Sequence, residues 1–375
     1  MTVSIMANLE VKDKMSVLQF GVVMAAIMLG AQFIGLPTQL VPQAGQLAWV
    51  SVILGGGLFF CATWVMLKLA ALYPNSDPIE YLPRLLGKWL GVGAICVLVL
   101  LFLGVTWVTQ NQFSRVLVFF MFDRTPTDVI IMSMLAVVAY CALQDLGTIV
   151  RVAQFTFFVS VAMIGAIWSV AIFNFQPENL LPFWTNKPIG VLQATLNTWG
   201  TYGGYEIVLL LFPVISQKRN NLVKVVGIGF IFITLISVII VVVTVGVLTV
   251  ETIKNESYPT LVVVRSVELP GTFIERLENY FLIAWIPLIF NSQALFVYML
   301  AQIMSRLWGF ADHRPWVLAL VPLIYTGATL VDGLELMVLA GKVLTLLGLV
   351  FSLGIIPLVY LYAKWKNQGV TAGER

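Results

Sequence analysis

The sequence predicts an all-α integral membrane protein of ten transmembrane helices, arranged as two five-helix halves with helices one and six discontinuous. Three observations predict it. Of 375 residues, 60% are hydrophobic and 10% charged, against roughly 45–50% and about 25% in soluble domains, and mean hydropathy is +0.96. Apolar windows long enough to cross a hydrocarbon core, roughly 20 helical residues, recur ten times. Finally, spans one and six are both interrupted by glycines beside a polar side chain. So few charged side chains could not cover a water-soluble globule of this size.

Residues 1–15 are polar and mixed in charge, and the apolar stretch after them is too long for a signal-peptide core and has no small-residue cleavage site. It therefore stays as span one, 17–42. The others follow at 46–69, 91–120, 127–143, 150–173, 189–212, 225–249, 278–304, 315–331 and 336–362, the fourth and ninth being short. The chain reads as one transmembrane domain, 1–375, with a first repeat over 17–173 and a second over 189–362. With the N-terminus inside, the inner segments hold 14 of the 21 basic residues. The positive-inside rule then puts both termini in the cytoplasm. Arg115 and Lys342 fall inside spans near their outer ends, where they snorkel or pair with acids. The stretch from Val250 to Leu277 predicts a short interfacial helix, either a partner contact or a solvated lid. Lys68 to Trp89 is the other candidate docking surface.

Span one contains Gly30-Ala-Gln-Phe-Ile-Gly35-Leu-Pro37 and span six Asn197-Thr-Trp-Gly200-Thr-Tyr-Gly203-Gly204-Tyr-Glu206. These are corresponding positions of the two halves. Irregular backbone at membrane depth is tolerated where it is buried in protein or lines a cavity, and paired interruptions point to a midplane site in an inverted-repeat transporter fold. The unwound ends offer amide N–H groups to a carboxylate and carbonyls to an ammonium. Close helix packing through glycine is the plainer reading, but it leaves Gln32 and Glu206 beside the breaks unexplained.

Candidate ligand-binding residues follow from that geometry: Gly30, Gln32, Phe33 and Gly35 at the first break, and Thr198, Tyr202, Gly203 and Glu206 at the second. Gln110 in span three would form a wall, and Asn291, from the polar run Asn291-Ser-Gln293 of span eight, is set opposite it by analogy alone. Glu206 reads either as a helix cap or as a ligand or proton site, since intramembrane carboxylates are costly and usually face a cavity. An anion already there would repel a substrate carboxylate, which should prefer the amides around Gln32 to Leu36. In span three, Thr106, Thr109, Gln110 and Phe113 share one helical face. Trp199, Tyr202 and Phe33 either gate the pocket or pack the core.

Other chemistry is excluded. A net charge of +3 without a basic run gives no nucleic-acid partner. Cys61, Cys96 and Cys141 read as small core residues, and the lone His313 as a solvated loop residue. No metal spacing, phosphate-cradling loop or nucleophilic triad is present, so neither a cofactor nor an enzyme activity is expected.

Several segments carry a resemblance. Ala48-Trp-Val-Ser51, Leu72-Tyr-Pro-Asn75, Leu86-Gly-Lys-Trp-Leu-Gly91, Pro177-Glu-Asn-Leu-Leu-Pro182 and Glu206-Ile-Val-Leu-Leu-Leu-Phe-Pro213 resemble, in order and spacing, the GerAB family of spore germination permease-like proteins. The resemblance implies a ten-helix member of the amino acid, polyamine and organocation transporter superfamily with the LeuT-like 5+5 inverted repeat. It further implies the B subunit of a nutrient germinant receptor in the inner membrane of a bacterial spore. Its partners there would be an A-type membrane subunit and a C-type lipoprotein, and its ligand a small germinant such as an amino acid. Two departures stand out: Gln32 intrudes where the superfamily's amino-acid transporters carry small residues, and span five has no lysine to replace a coupling cation. Three functions stay open: a germinant-sensing subunit, a secondary amino-acid transporter, and a passive conduit for water or ions.

Overall fold

Ser16 opens the first helix with a reciprocal cap. Its hydroxyl accepts the Gln19 amide at 3.2 Å while the Gln19 carboxamide accepts the Ser16 amide at 2.9 Å, which satisfies two donors that a helix start leaves orphaned. The computed structural model describes residues 15–182, 188–215, 221–267, 276–331 and 333–373. In it α1 (Val17–Gln32) stops short, and α2 (Leu36–Ala44) begins with Pro37 in its first turn, where a missing N–H costs nothing. Gly45, at φ +56°, turns the chain into α3 (Ala48–Leu72). Asp77 caps α4 (Pro78–Leu86) by accepting the Glu80 amide. Next come α5 (Lys88–Phe120), α6 (Thr127–Ala142) and α7 (Leu146–Ala171).

The second half starts in pieces: α8 (Pro188–Asn197), the single turn α9 (Trp199–Tyr202) and the single turn α10 (Val208–Leu211). Then follow α11 (Leu222–Asn255), α12 (Pro259–Arg265), α13 (Leu277–Leu307), α14 (Arg314–Leu330), α15 (Leu334–Leu349) and α16 (Ile356–Gly373), the last two joined by π-helical turns at Val350–Ile355. The described residues are helical throughout, with one isolated bridge between Met15 and Ile215. Helix α13 lies at the centre, packed on α7, α1, α5 and α6.

Among the described residues six segments are long and apolar enough to cross a membrane: Leu36–Leu72, Lys88–Phe120, Leu146–Asn174, Leu222–Asn255, Leu277–Leu307 and Glu335–Lys366. That is fewer than the ten windows of the sequence, for two physical reasons. Spans one and six are broken, so neither is a single long helix, and the outer part of span one runs on through Gly45 into α3. Helices α6 and α14, with 16 and 17 residues, fall below the roughly 20 that an untilted crossing needs.

Other expectations change. Cys61 and Cys96 are exposed on the bundle's apolar surface and Cys141 alone is buried, because each of the first two falls on the outward side of its helix. The stretch after Val250 does form a short helix, α12, yet Pro259, Thr260, Leu261, Val263 and Val264 are all buried. It is wedged into the bundle rather than solvated. His313 is 11% exposed at its side chain, beside Asp312, and its Nε2 lies 3.1 Å from the Ala142 carbonyl. This ring fastens the turn before α14 to the end of α6. Arg115 donates to Asn111 Oδ1 at 2.8 Å on its own helix, and Lys342 is exposed. Of the residues weighed for orientation and loops, Lys12, Lys14, Lys187, Lys218, Arg219, Glu268, Pro270, Glu275 and Arg375 lie outside the described residues.

Helix α11 bends at Thr249, whose φ is +66°. The bend frees the Gly246 carbonyl, which accepts the Gln176 amide at 3.1 Å and the Asn179 side chain at 2.7 Å. The 3-10 turn at Pro177–Leu180 is thereby docked on α11.

Candidate ligand site at two helix breaks

Gly30 sets how closely α1 meets α13. A Cβ there would run into Ser292 Oγ and the Leu288 carbonyl, so only glycine permits this approach. Ser292 Oγ lies 3.1 Å from the carbonyls of both Ile27 and Leu288 and donates its proton between them. Beyond Gln32 the chain unwinds. Phe33 stacks on Phe281 of α13, with ring centres 6.0 Å apart and planes at 14°. At Gly35, the Gln112 side-chain nitrogen stands 3.2 Å from where a Cβ would lie. The Ile34 carbonyl, left without a helical partner, accepts Thr260 Oγ1 of α12 at 2.9 Å.

The second break is built on Gly203 and Gly204. Gly204 has φ +98°, a left-handed conformation that side-chain-bearing residues adopt at a cost. A Cβ on it would strike the Ile27 side chain and come within 3.0 Å of the Phe296 ring. The second break therefore meets the helical part of α1 at Ile27, which faces Gly204 with its side chain and Ser292 with its carbonyl. Glu206 is 1% exposed. Its Oε2 accepts the Gly204 amide at 3.0 Å and its Oε1 accepts the Trp199 indole N–H at 3.1 Å. The carboxyl group thus folds back onto its own break. The Trp199 indole fits because Gly348 offers no side chain against it.

The other expected residues are spread over neighbouring helices. Thr198 Oγ1 donates to the Thr195 carbonyl at 2.7 Å and lies against Gly55 of α3. Tyr202 Oη donates to the Val52 carbonyl at 3.0 Å, is 2.9 Å from Thr234 Oγ1, and its ring stacks on Phe230 at 5.7 Å. Gln110 donates to the Ile131 carbonyl of α6 at 3.1 Å. Asn291 and Thr156 of α7 exchange hydrogen bonds at 2.8 and 3.1 Å. The structure thus puts Gly30, Phe33 and Gly35 at the first break, against α13 and α5, and Gly203 and Glu206 at the second. Tyr202, Gln110 and Asn291 fasten adjacent helices, while Thr198 bonds within its own segment and packs against Gly55. The side chain of Gln32 lies outside the described residues.

Sequence reasoning missed Thr260, which sits 226 positions from the carbonyl it serves, and Thr156, the partner of Asn291. No local signal marks either. Gln112 carried a signal, as part of the polar run in span three, and it is the member that reaches Gly35.

Between the second break and α5 and α15, a cavity of about 10 Å³ is enclosed by Val105, Val108, Trp199, Gly203, Gly341 and Leu344, room for about one water. A far larger cavity, about 430 Å³, opens at the far end of α2 among Gln43, Gln46, Glu178, Asn179, Glu251 and Lys254. This conformation is closed at the breaks, and its open volume lies along α2 from them. Among the described residues no group of three or more His, Cys, Asp or Glu side chains could hold a metal ion.

Comparison with known proteins adds a family. The model of the family described as "Spore germination protein" matches residues 14–332. The chain is similar to "Spore germination protein YndE" of Bacillus subtilis (strain 168), at 28% identity over 95% of this chain and 98% of that one. It is also similar to "Spore germination protein A2" of the same organism, at 25% over 98% of this chain and 100% of the relative. A third relative there, "Spore germination protein KB", is 25% identical over 82% of each chain.

Proposed function

This chain belongs to the spore germination protein family, and on that premise we propose that it is the membrane subunit of a spore nutrient germinant receptor, binding a small germinant where its two broken helices meet. The observation that carries this reading is Glu206: a fully buried carboxyl group at the second break, which packs on α1, with its oxygens accepting from Trp199 and Gly204 of that same break. A ligand ammonium outcompetes the Trp199 N–H for Oε1, because a charge-assisted hydrogen bond is stronger than a neutral donor's. The ligand's carboxylate turns to the amides at the start of α2, the positive end of that half-helix. An amino acid carries both groups, so it is the ligand class this geometry suits.

With about 10 Å³ at the second break, binding requires the breaks to open. Lifting α12 removes Thr260 from the Ile34 carbonyl, and swinging Trp199 away from Gly348 uncovers Glu206. A signal follows when the ligand prefers one of the two arrangements, since equal affinity shifts nothing. In this reading the ten windows are ten crossings in a LeuT-like 5+5 inverted repeat over 17–173 and 189–362. Helices α6 and α14 cross at minimal length, and both termini are cytoplasmic. The setting is the inner spore membrane, and the partners that turn binding into germination are an A-type membrane subunit and a C-type lipoprotein.

The test is uptake of a radiolabelled amino-acid mixture by proteoliposomes containing this chain, with and without a proton gradient, beside a binding assay on the same preparation. Saturable binding without accumulation is expected of a sensor. Gradient-driven accumulation would instead make the chain a secondary transporter, and absence of binding to the fully folded protein would remove the ligand site.

A further inference from the structure

Exposed tryptophans and lysines gather at one corner of the bundle. On the last turns of α3, Trp64 and Lys68 both face outward, and the Lys68 ammonium lies 5.5 Å from the Trp64 ring centre. Helix α4 lies beside them, burying Pro78, Tyr81, Leu82 and Leu85 while Arg84 stays exposed. Gly87, at φ +82°, then turns the chain so that Lys88, Trp89 and Leu90 project, Trp89 being 88% exposed. Helix α16 packs on α3 and α4 through Ile356, Val359 and Ala363, leaving Tyr362, Lys364, Trp365 and Lys366 outside.

Five cations thus share this corner: Lys68, Arg84, Lys88, Lys364 and Lys366. Against them stands Glu80, half-buried and 3.9 Å from Arg84; Asp77 is taken up by Arg306 of α13. The aromatic rings are as telling as the charges. A ring as exposed as Trp89 gains nothing from water, whereas indole and phenol rings settle at the headgroup level of a bilayer and neighbouring basic residues attract anionic lipid. An acidic peptide would use the lysines and leave the rings wet.

We propose that this corner, formed by the ends of α3 and α16 and the α4–α5 turn, binds the phosphate headgroups of anionic phospholipids, with Trp64, Trp89 and Trp365 seated at the glycerol level. The site is separate from the helix breaks and depends only on the chain lying in a membrane. Through the Asp77–Arg306 ion pair, α4 is fixed to the end of α13, the helix that carries Ser292 against Gly30.

Native mass spectrometry of the full chain, titrated with phosphatidylglycerol or phosphatidylcholine, tests the site. Selective retention of phosphatidylglycerol is expected, falling about tenfold or more in a Lys68→Gln/Lys88→Gln/Lys364→Gln variant. A control with Lys254→Gln and Arg265→Gln, on other helices, should retain lipid like the parent. All three corner lysines are exposed, so an unchanged melting temperature verifies that the variant folds. Equal retention of the two lipids, or undiminished phosphatidylglycerol retention in the triple variant, would overturn the proposal. So would binding of an oligoglutamate peptide through the same lysines without lipid retention, which would indicate a protein partner.

Discussion

The first break is held shut by residues far away in the chain, the second by its own neighbours. At the first, the free Ile34 carbonyl is satisfied by Thr260 and Phe33 rests on Phe281, so it stays closed only while α12 and α13 stay in place. At the second, Glu206 bonds to Gly204 and Trp199, two and seven positions away, and those bonds survive a movement of the rest of the bundle. The difference divides the labour. In the proposed cycle α12 governs the opening of the first break, and the second, once Trp199 swings from Gly348, is the part with chemistry to offer a ligand.

The largest expected effect comes from breaking the contact of the second break with α1 and α13. Gly204→Val adds a β-branched side chain at φ +98° against Ile27 and Phe296; left-handed strain and overpacking together cost about 3 kcal/mol or more. Most of the folded protein should be lost, read as monodisperse yield and melting temperature. Trp199→Phe sharpens the comparison from the second side. It keeps a ring against Gly348 but withdraws the donor from Glu206, lowering stability by about 1–3 kcal/mol while tightening the binding of ammonium ligands, measurable by calorimetry. A variant with weaker ammonium binding would mean that the indole helps hold the ligand rather than competing with it.

Thr260→Val acts on the first side. It strands the Ile34 carbonyl at a cost of about 1–2 kcal/mol and should speed ligand association without changing which ligands bind, because it loosens the opening part alone. Unaltered association kinetics would show that α12 does not govern access. The smallest effect belongs to Thr156→Val, which removes the partner of Asn291 away from both breaks. Membrane hydrogen bonds of this type average about 0.6 kcal/mol, so melting should shift slightly and ligand affinity should not move.

The same asymmetry decided what could be read from the sequence. The all-helical membrane class followed from composition, which no tertiary detail can override. Both breaks were legible because Gly30, Gly35, Pro37, Gly203 and Gly204 interrupt otherwise apolar spans, and Glu206 was legible because its partners are local. Thr260 was not, since nothing near it in the chain announces a carbonyl 226 positions away. The orientation of span three was illegible for another reason: Thr106, Thr109, Gln110, Asn111, Gln112 and Ser114 are all buried. That part of α5 is surrounded on every side and has no amphipathic face to fix its rotation, and the structure turns Gln112 to the first break and Gln110 to α6. The windows at spans one and six are not single long helices in the structure, because an apolar window reports composition and says nothing of whether the backbone stays helical through it.

The central claim is that the Glu206 carboxyl group receives the ligand's ammonium. Equilibrium binding of radiolabelled amino acids to the purified full chain, compared between the parent and Glu206→Gln, tests it most directly, because glutamine keeps the shape and the acceptor oxygen but carries no charge. Affinity should fall at least about tenfold, because the ammonium no longer faces an opposite charge. Melting temperature should drop as well, since the Gly204 or the Trp199 donor then meets an amide NH2 in place of an acceptor. Equal affinity in the two proteins would contradict the account and leave Glu206 as no more than the cap of its own broken helix.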